Sequence, residues 1–245
     1  MQTVGIIPAR YESSRFPGKP LADILGRPMI QHVYERSSEA SGLDRIFVAT
    51  DDARIARAVK AFGGEPILTR SDHPSGTDRI AEASRLLKLS DEDIVVNVQG
   101  DEPLVEPSMI HLLVEALKEA PECPMATLGF ETCDSGEYLD PNVVKIVRDT
   151  GGKALYFSRA PLPHRRDPGA APFFFLKHLG FYAYRNAFLQ TFTQLSPGKY
   201  ESEEKLEQLR ALEHGFCIQV ALSPVETHGI DTPEDLEKLR KRMAG

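Results

Sequence analysis

Only three cysteines occur in 245 residues, Cys123, Cys133 and Cys217, and none forms a CxxC pair. An odd, scattered set of thiols excludes a disulfide framework and a cysteine-built zinc site, and fits free thiols in a reducing compartment. No apolar run approaches the roughly 20 residues that span a bilayer. The opening apolar segment, Val4 to Ile7, stops at Pro8 and Arg10 and is too short for a signal-peptide core. The expected location is therefore the cytoplasm. Internal repeats, low-complexity tracts and a GxGxxG fingerprint are also missing, so no dinucleotide site is indicated. Nor is positive charge in excess: the net charge of -7 disfavours non-specific binding to nucleic acid or an anionic membrane.

What is present is the composition of a soluble globular chain, 41% hydrophobic and 27% charged, long enough for one large α/β unit. Short β-branched runs alternate with segments of helical period, as in βαβ units around a mostly parallel sheet. Strands are expected at Val4 to Ala9, Ile46 to Thr50, Pro66 to Thr69 and Ile94 to Val98. Helices are expected from about Pro28, over Ile55 to Phe62, over Ser75 to Leu87 and around Met109 to Leu117. After about residue 124 the runs Met125 to Phe130, Val143 to Val147 and Ala154 to Phe157 follow one another without long helices. Leu179 to Tyr184 and Ile218 to Leu222 resume strand character. Leu206 to Leu212 reads as a helix, and Thr232-Pro233-Glu234-Asp235 opens the last one with an N-cap and proline at N1. The expectation is one unit, 1–245: a doubly wound half over 1–124 and a smaller mixed α+β portion over 125–245.

The first strand runs into Arg10-Tyr11-Glu12-Ser13-Ser14-Arg15-Phe16-Pro17-Gly18-Lys19-Pro20. Ligands of open α/β sheets bind at that end of the strands. Arg10, Arg15 and Lys19 with Ser13 and Ser14 form an inventory suited to a triphosphate, since arginine offers bidentate donors and lysine a compact charge. A solvated basic loop is the plain alternative. A Walker loop is excluded, because position 13 is Ser rather than Gly and Lys19 precedes Pro20 instead of Ser or Thr.

This loop resembles the nucleotide-binding signature of the 3-deoxy-manno-octulosonate (Kdo) cytidylyltransferases, the CMP-Kdo synthetases. The resemblance continues in order through Ala49-Thr50-Asp51-Asp52, Ser75-Gly76-Thr77-Asp78-Arg79, Asn97-Val98-Gln99-Gly100-Asp101-Glu102-Pro103, Leu155-Tyr156-Phe157-Ser158-Arg159, Lys177-His178-Leu179-Gly180, Leu206-Glu207-Gln208-Leu209-Arg210 and Asp231-Thr232-Pro233-Glu234-Asp235. It implies a nucleotide-diphospho-sugar transferase-like α/β fold, CTP and Kdo as substrates, a homodimer and a role in lipopolysaccharide biosynthesis.

Asp101 follows the apolar strand Ile94 to Val98 just after Gly100, a place where Mg²⁺ can be held between a carboxylate, substrate phosphates and water. The family places Asp231 at the same metal, although a carboxylate before a helix is equally at home on a surface. Ser75, Gly76 and Thr77 precede a helix, where they either cap it or read the base and ribose. Arg70 is a looser candidate for the nucleotide. By resemblance the sugar half is held by Gln99, Arg159, His178, Tyr182, Glu207 and Gln208. Taken alone, His178 reads as an ordinary histidine at a strand end, and Glu207 and Gln208 as a solvated pair on a helix.

The implied chemistry is attack of the sugar's anomeric 2-hydroxyl on the α-phosphorus of CTP. Asp101 and Asp231 hold Mg²⁺, and Arg10, Arg15 and Lys19 hold the departing pyrophosphate. No separate base is named. Two other classes remain. A metal-dependent glycosyltransferase would use Asp91-Glu92-Asp93 as its D-x-D, though these residues precede a strand instead of following one, and a catalytically silent nucleotide-binding regulator would retain only the loop. An 8-amino derivative of Kdo is the alternative sugar. Phe173 to Phe175 lie either in the core or at a subunit interface.

Overall fold

The computed structural model describes residues 1–12, 16–167, 169 and 173–244. Ser13, Ser14 and Arg15 of the basic loop lie outside the described residues.

The chain opens with β1 (Thr3–Ala9). A short hairpin follows, β2 (Asp23–Ile24) and β3 (Arg27–Pro28), and leads into α1 (Met29–Ser38). Then come β4 (Arg45–Thr50), α2 (Ala53–Ala61), β5 (Pro66–Leu68), α3 (Gly76–Leu86), β6 (Ile94–Asn97) and α4 (Pro107–Glu119). The rest of the chain holds β7 (Met125–Thr132), α5 (Ser135–Leu139), β8 (Lys145–Arg148), β9 (Ala154–Ser158), β10 (Phe175–Arg185), α6 (Asn186–Phe192), α7 (Lys199–Glu204), α8 (Leu209–Glu213), β11 (Ile218–Ser223) and α9 (Pro233–Ala244).

One sheet runs through both halves in the order β11-β7-β10-β6-β1-β4-β5, with β8 and β9 branching from β10. The ladders β6-β1-β4-β5 and β7-β11 are parallel, while β10 is antiparallel to β6, β7 and β8. The α/β reading with a mixed smaller portion describes this architecture. From β1 the chain moves outward to β4 and β5, then returns across β1 to β6. The crevice between the carboxyl ends of β1 and β6 is thus a topological switch point, where such sheets bind ligands.

Strand alternation explains both cores. Val4 and Ile6 join Phe47, Ile80, Ala83, Phe188, Leu189 and Leu209 on the face covered by α3, α6 and α8. Ile7 and Ala9 join Ile30, Val33, Ile55, Val59, Met109 and Leu113 on the face of α1, α2 and α4. In β6, Ile94 and Val96 point to one cluster and Val95 to the other, as expected of a strand covered on both sides. A third cluster, Ile24, Met29, Ile230, Leu236 and Leu239, seats α9 against the hairpin and the start of α1. Thr232 caps α9 by accepting from Asp235 N at 3.2 Å, while the Asp235 carboxylate accepts from Thr232 N at 3.0 Å. Asp231 is thereby fixed at the entrance to the last helix.

One expectation is corrected by local geometry. Glu207 and Gln208 do not ride on a helix: α7 ends where Lys205 turns left-handed at φ 54°, and the pair occupies the turn before α8, between the buried anchors Leu206 and Leu209. The three phenylalanines divide, with Phe175 buried at the start of β10, Phe174 60% exposed and Phe173 stacked edge-on against Tyr138 at 4.8 Å.

Candidate active site

A cleft of about 570 Å³ opens at the switch point, lined by Pro8 near the end of β1, Arg10 and Glu12 after it, Lys19, Gly76 at the start of α3, Gln99 to Asp101 after β6, and Asp231. Its floor depends on a close approach: a Cβ on Gly100 would stand 2.9 Å from the Pro8 carbonyl oxygen, so only glycine lets the β6 exit pass over the β1 exit. Lys19 is presented by a 3-10 turn (Lys19–Leu21), reached through Gly18 at φ 73°.

The centre of the cleft is electrostatic. The Lys19 ammonium donates to Asp101 Oδ2 at 2.8 Å and contacts Asp231 Oδ1 at 3.4 Å, so carboxylates 130 positions apart share one positive charge. The Asp101 carbonyl also accepts from Ile230 N at 2.9 Å, tying the segment before Asp231 to the turn after β6. Among the described residues no group of three or more His, Cys, Asp or Glu is arranged for a metal. Two carboxylates suffice for Mg²⁺, which keeps water and takes phosphate oxygens as its other ligands. The donor set fits that ion, since a cation already sits between both acids.

Glu102, which received no role in the sequence reading, is 7% exposed. Burial, followed by the nearby Asp101 charge, pushes its carboxyl up to about 8, with a hydrogen bond from Thr227 acting in the opposite direction. Oε2 has no hydrogen-bond partner. Glu102 also lines a separate cavity of about 680 Å³ with Asp140, Lys177, Thr227, His228 and Arg242. A carboxyl directly after Asp101 was visible in sequence, but its burial depends on α9 and the chain leading to it.

The remaining nucleotide candidates divide. Arg10 and Gly76 line the cleft. Ser75 is the N-cap of α3, accepting from Asp78 N at 3.1 Å and donating to the Asp78 carboxylate at 2.6 Å. Thr77 donates to Glu207 at 2.6 Å and so links α3 to the turn before α8. Arg70 is turned to the surface, 3.3 Å from Asp72. Behind it Arg79 is fully buried, donating to Thr69 Oγ1 at 2.6 Å and facing Asp51 at 3.3 Å. Asp93, the last residue of Asp91-Glu92-Asp93, accepts from Gln2 N at 2.7 Å and Ser90 N at 2.8 Å, a role in holding the two strands.

The sugar candidates line up on β10 and beside it. Gln99 donates to the Gly180 carbonyl at 2.6 Å, at the bulge between His178 and Tyr182. Those two rings lie 5.4 Å apart, and His178 Nε2 is 3.0 Å from Thr127 Oγ1. Burial lowers the imidazole to about 3 and holds it neutral. Burial also raises Glu207, and it raises Tyr182 well above the ordinary phenol range. Gln208 is buried with Nε2 unpartnered, as is Asn97 Oδ1 on β6. Arg159 stands somewhat apart: Nε donates to the Glu204 carbonyl at 2.7 Å and Nη1 to the Pro141 carbonyl at 2.9 Å, clasping the end of α7 to the chain after α5.

Comparison with known proteins agrees with this geometry. The family described as Cytidylyltransferase matches residues 4–239. The 3-deoxy-manno-octulosonate cytidylyltransferase of Syntrophobacter fumaroxidans is 68% identical over 237 residues, covering 97% of this chain and 95% of its own. An 8-amino-3,8-dideoxy-manno-octulosonate cytidylyltransferase of Shewanella sp. (strain W3-18-1) is 53% identical, covering 100% of this chain and 99% of its own. Among solved structures, a CMP:2-keto-3-deoxy-manno-octonic acid synthetase complexed with CTP superposes with a TM-score of 0.93 at 46% identity, over 100% of this chain and 99% of that one. A 4-diphosphocytidyl-2C-methyl-D-erythritol synthase, 12% identical with a TM-score of 0.65 over 99% of this chain and 98% of that one, shares the fold. With the switch-point cleft and this coverage together, the chain belongs to the cytidylyltransferase family.

Proposed function

We propose that this chain transfers the cytidylyl group of CTP to Kdo, giving CMP-Kdo and pyrophosphate, and so activates the sugar for lipopolysaccharide assembly. The observation that carries the reading is the shared cation site, where Lys19, Asp101 and Asp231 converge beside Arg10 at the switch point.

In this reading Asp101 and Asp231 would hold Mg²⁺, which would supply Lewis acidity at the reacting phosphate and acidify the attacking hydroxyl. Lys19, Arg10 and Arg15 would neutralise charge on the departing pyrophosphate. Ser13, Ser14, Ser75, Gly76, Thr77 and Arg70 complete the nucleotide site, the last after turning in from the surface. Gln99, His178, Tyr182, Glu207 and Gln208 surround the sugar, with neutral His178 as a hydrogen-bonding rather than a charged contact. Arg159 takes the sugar carboxylate. The nucleotide is held mainly by 1–124, with Asp231 added from the second half, and the sugar and subunit contacts come mainly from 125–245, with Gln99 added from the first. A homodimer through that half is part of this reading. The reaction is assigned to the cytoplasm.

The test is pyrophosphate release from CTP with Kdo, or with its 8-amino derivative, with and without Mg²⁺. Release that needs CTP, Kdo and Mg²⁺ together is expected. Release with the amino sugar alone would reassign the acceptor, and none with either would overturn the reading.

A further inference from the structure

The loop that carries Arg10 and Lys19 is closed at its base. The chain leaves β1 through Arg10, and at Tyr11 its carbonyl accepts from Gly18 N at 2.8 Å, immediately before Lys19. The two cleft cations are therefore attached to the two residues that this contact joins. Gly18 lies directly against the Tyr11 ring: a Cβ there would stand 3.2 Å from Cζ and 3.3 Å from the hydroxyl oxygen, and its φ of 73° favours glycine.

A face of the ring is covered as well. The Arg54 guanidinium lies over Tyr11, its Cζ 3.3 Å from the ring centroid, in cation-π contact. Arg54 stands in the first turn of α2 and is itself fixed. Asp52, the N-cap, accepts from Arg54 N at 2.7 Å, from Nε at 3.0 and 3.2 Å and from Nη2 at 2.6 Å. These hydrogen bonds, the side-chain ones foremost, bring the Asp52 carboxyl down to about 2, so it stays ionised at neutral pH. Below, Tyr11 packs against the core cluster that includes Ile7, Ala9 and Ile55.

We infer that Tyr11, braced by Arg54, is a positioning residue for CTP: the ring packed against Gly18 and the guanidinium sets the spacing of Arg10 and Lys19 for the triphosphate. Tyr11 is not among the residues that line the cleft, and so acts through the two cations. Removing the ring leaves the Gly18 turn without its support, and the cations lose their common register. The sugar side of the site, on β10 and before α8, is built from other elements and is left intact.

The inference rests on the CTP reading and is tested by CTP binding, measured by calorimetry without sugar, beside steady-state kinetics. Wild-type protein that binds no CTP would overturn the reading and this inference with it. Given wild-type binding, Tyr11→Ala is expected to weaken CTP roughly tenfold and raise the KM for CTP likewise, with the KM for sugar within about twofold. Tyr11→Phe, which keeps the ring, is expected to restore affinity to within about threefold of wild type. Should Tyr11→Ala fail to fold, Arg54→Ala at the half-exposed brace decides, with an expected three- to fivefold loss of CTP affinity at unchanged sugar KM. CTP affinity unchanged in the folded Ala variants, or an equal loss for both substrates, would overturn the inference.

Discussion

Replacing Glu102 by glutamine should make the protein more stable at neutral pH, by an amount that grows with pH. In the folded chain the carboxyl titrates at about 8 against an ordinary 4.5. Below pH 4.5 folded and unfolded chains both hold the proton, and the group has no pH-dependent effect. Between 4.5 and 8 the unfolded chain releases the proton while the folded chain keeps it, so stability falls as pH rises. Above 8 both forms are ionised and the penalty is constant. At about 1.4 kcal/mol per unit, the loss reaches about 3 kcal/mol by pH 7. Because Glu102 is 7% exposed, solvent screening removes little of it. Glutamine has nearly the same shape and keeps an oxygen to accept from Thr227, but does not titrate. Urea denaturation of both proteins in chelator, without nucleotide, is the assay, since a cation at Asp101 and Asp231 would favour the ionised carboxylate. The gap between Glu102→Gln and wild type should widen by about 3 kcal/mol from pH 5 to pH 7.5, on the order of 10 °C in Tm for a chain of this size. A gap that stays constant over that range would refute the reasoning.

His178 responds in the opposite sense. Its folded value of about 3 lies below the ordinary 6.5, so its contribution is present above 6.5 and is lost as pH falls towards 3. The His178 imidazole resonance should therefore show no midpoint between pH 8 and pH 5, and a titration near 6.5 would contradict its burial. Asp101→Ala should lower kcat on the order of a thousandfold while the circular dichroism spectrum is retained. Near-normal turnover would remove Asp101 from the chemistry. Arg159→Ala should raise the KM for sugar on the order of tenfold, equivalent to about 1.4 kcal/mol, and the KM for CTP less than twofold. Equal effects on both would reassign the residue.

Much of the fold was legible because its signals are local. The continuous apolar runs of β1 and β6, the Ser75 cap, and Thr232-Pro233 before α9 each act within a few residues, and the structure places elements where those signals fall. The helix expected from Leu206 to Leu212 is present only from Leu209, as α8, for a reason that apolar spacing does not contain. Lys205 adopts a left-handed conformation that stops α7, while Leu206 and Leu209 remain buried as the spacing predicted. The hydrophobic pattern therefore identified the anchors correctly but not the turn between them, and that turn aims Glu207 at Thr77 across 130 positions.

The site divides along the same line. Residues at strand ends, Arg10 and Asp101, were legible because a parallel strand delivers its ligand groups at its carboxyl end, whatever the rest of the chain does. Asp231 could be joined to Asp101 only through resemblance, since their meeting depends on the third core cluster, in which Ile230, Leu236 and Leu239 close over Ile24 and Met29. Burial of that patch determines where the second carboxylate stands, so a substitution at Leu236 or Leu239 acts on the cleft without touching it. Glu102 is buried by the same arrangement: Gly229 packs against its carboxyl, and a Cβ there would stand 3.3 Å from Oε1. An acid that costs stability at neutral pH is thus held beside the two that bind Lys19, on the segment whose docking brings them together.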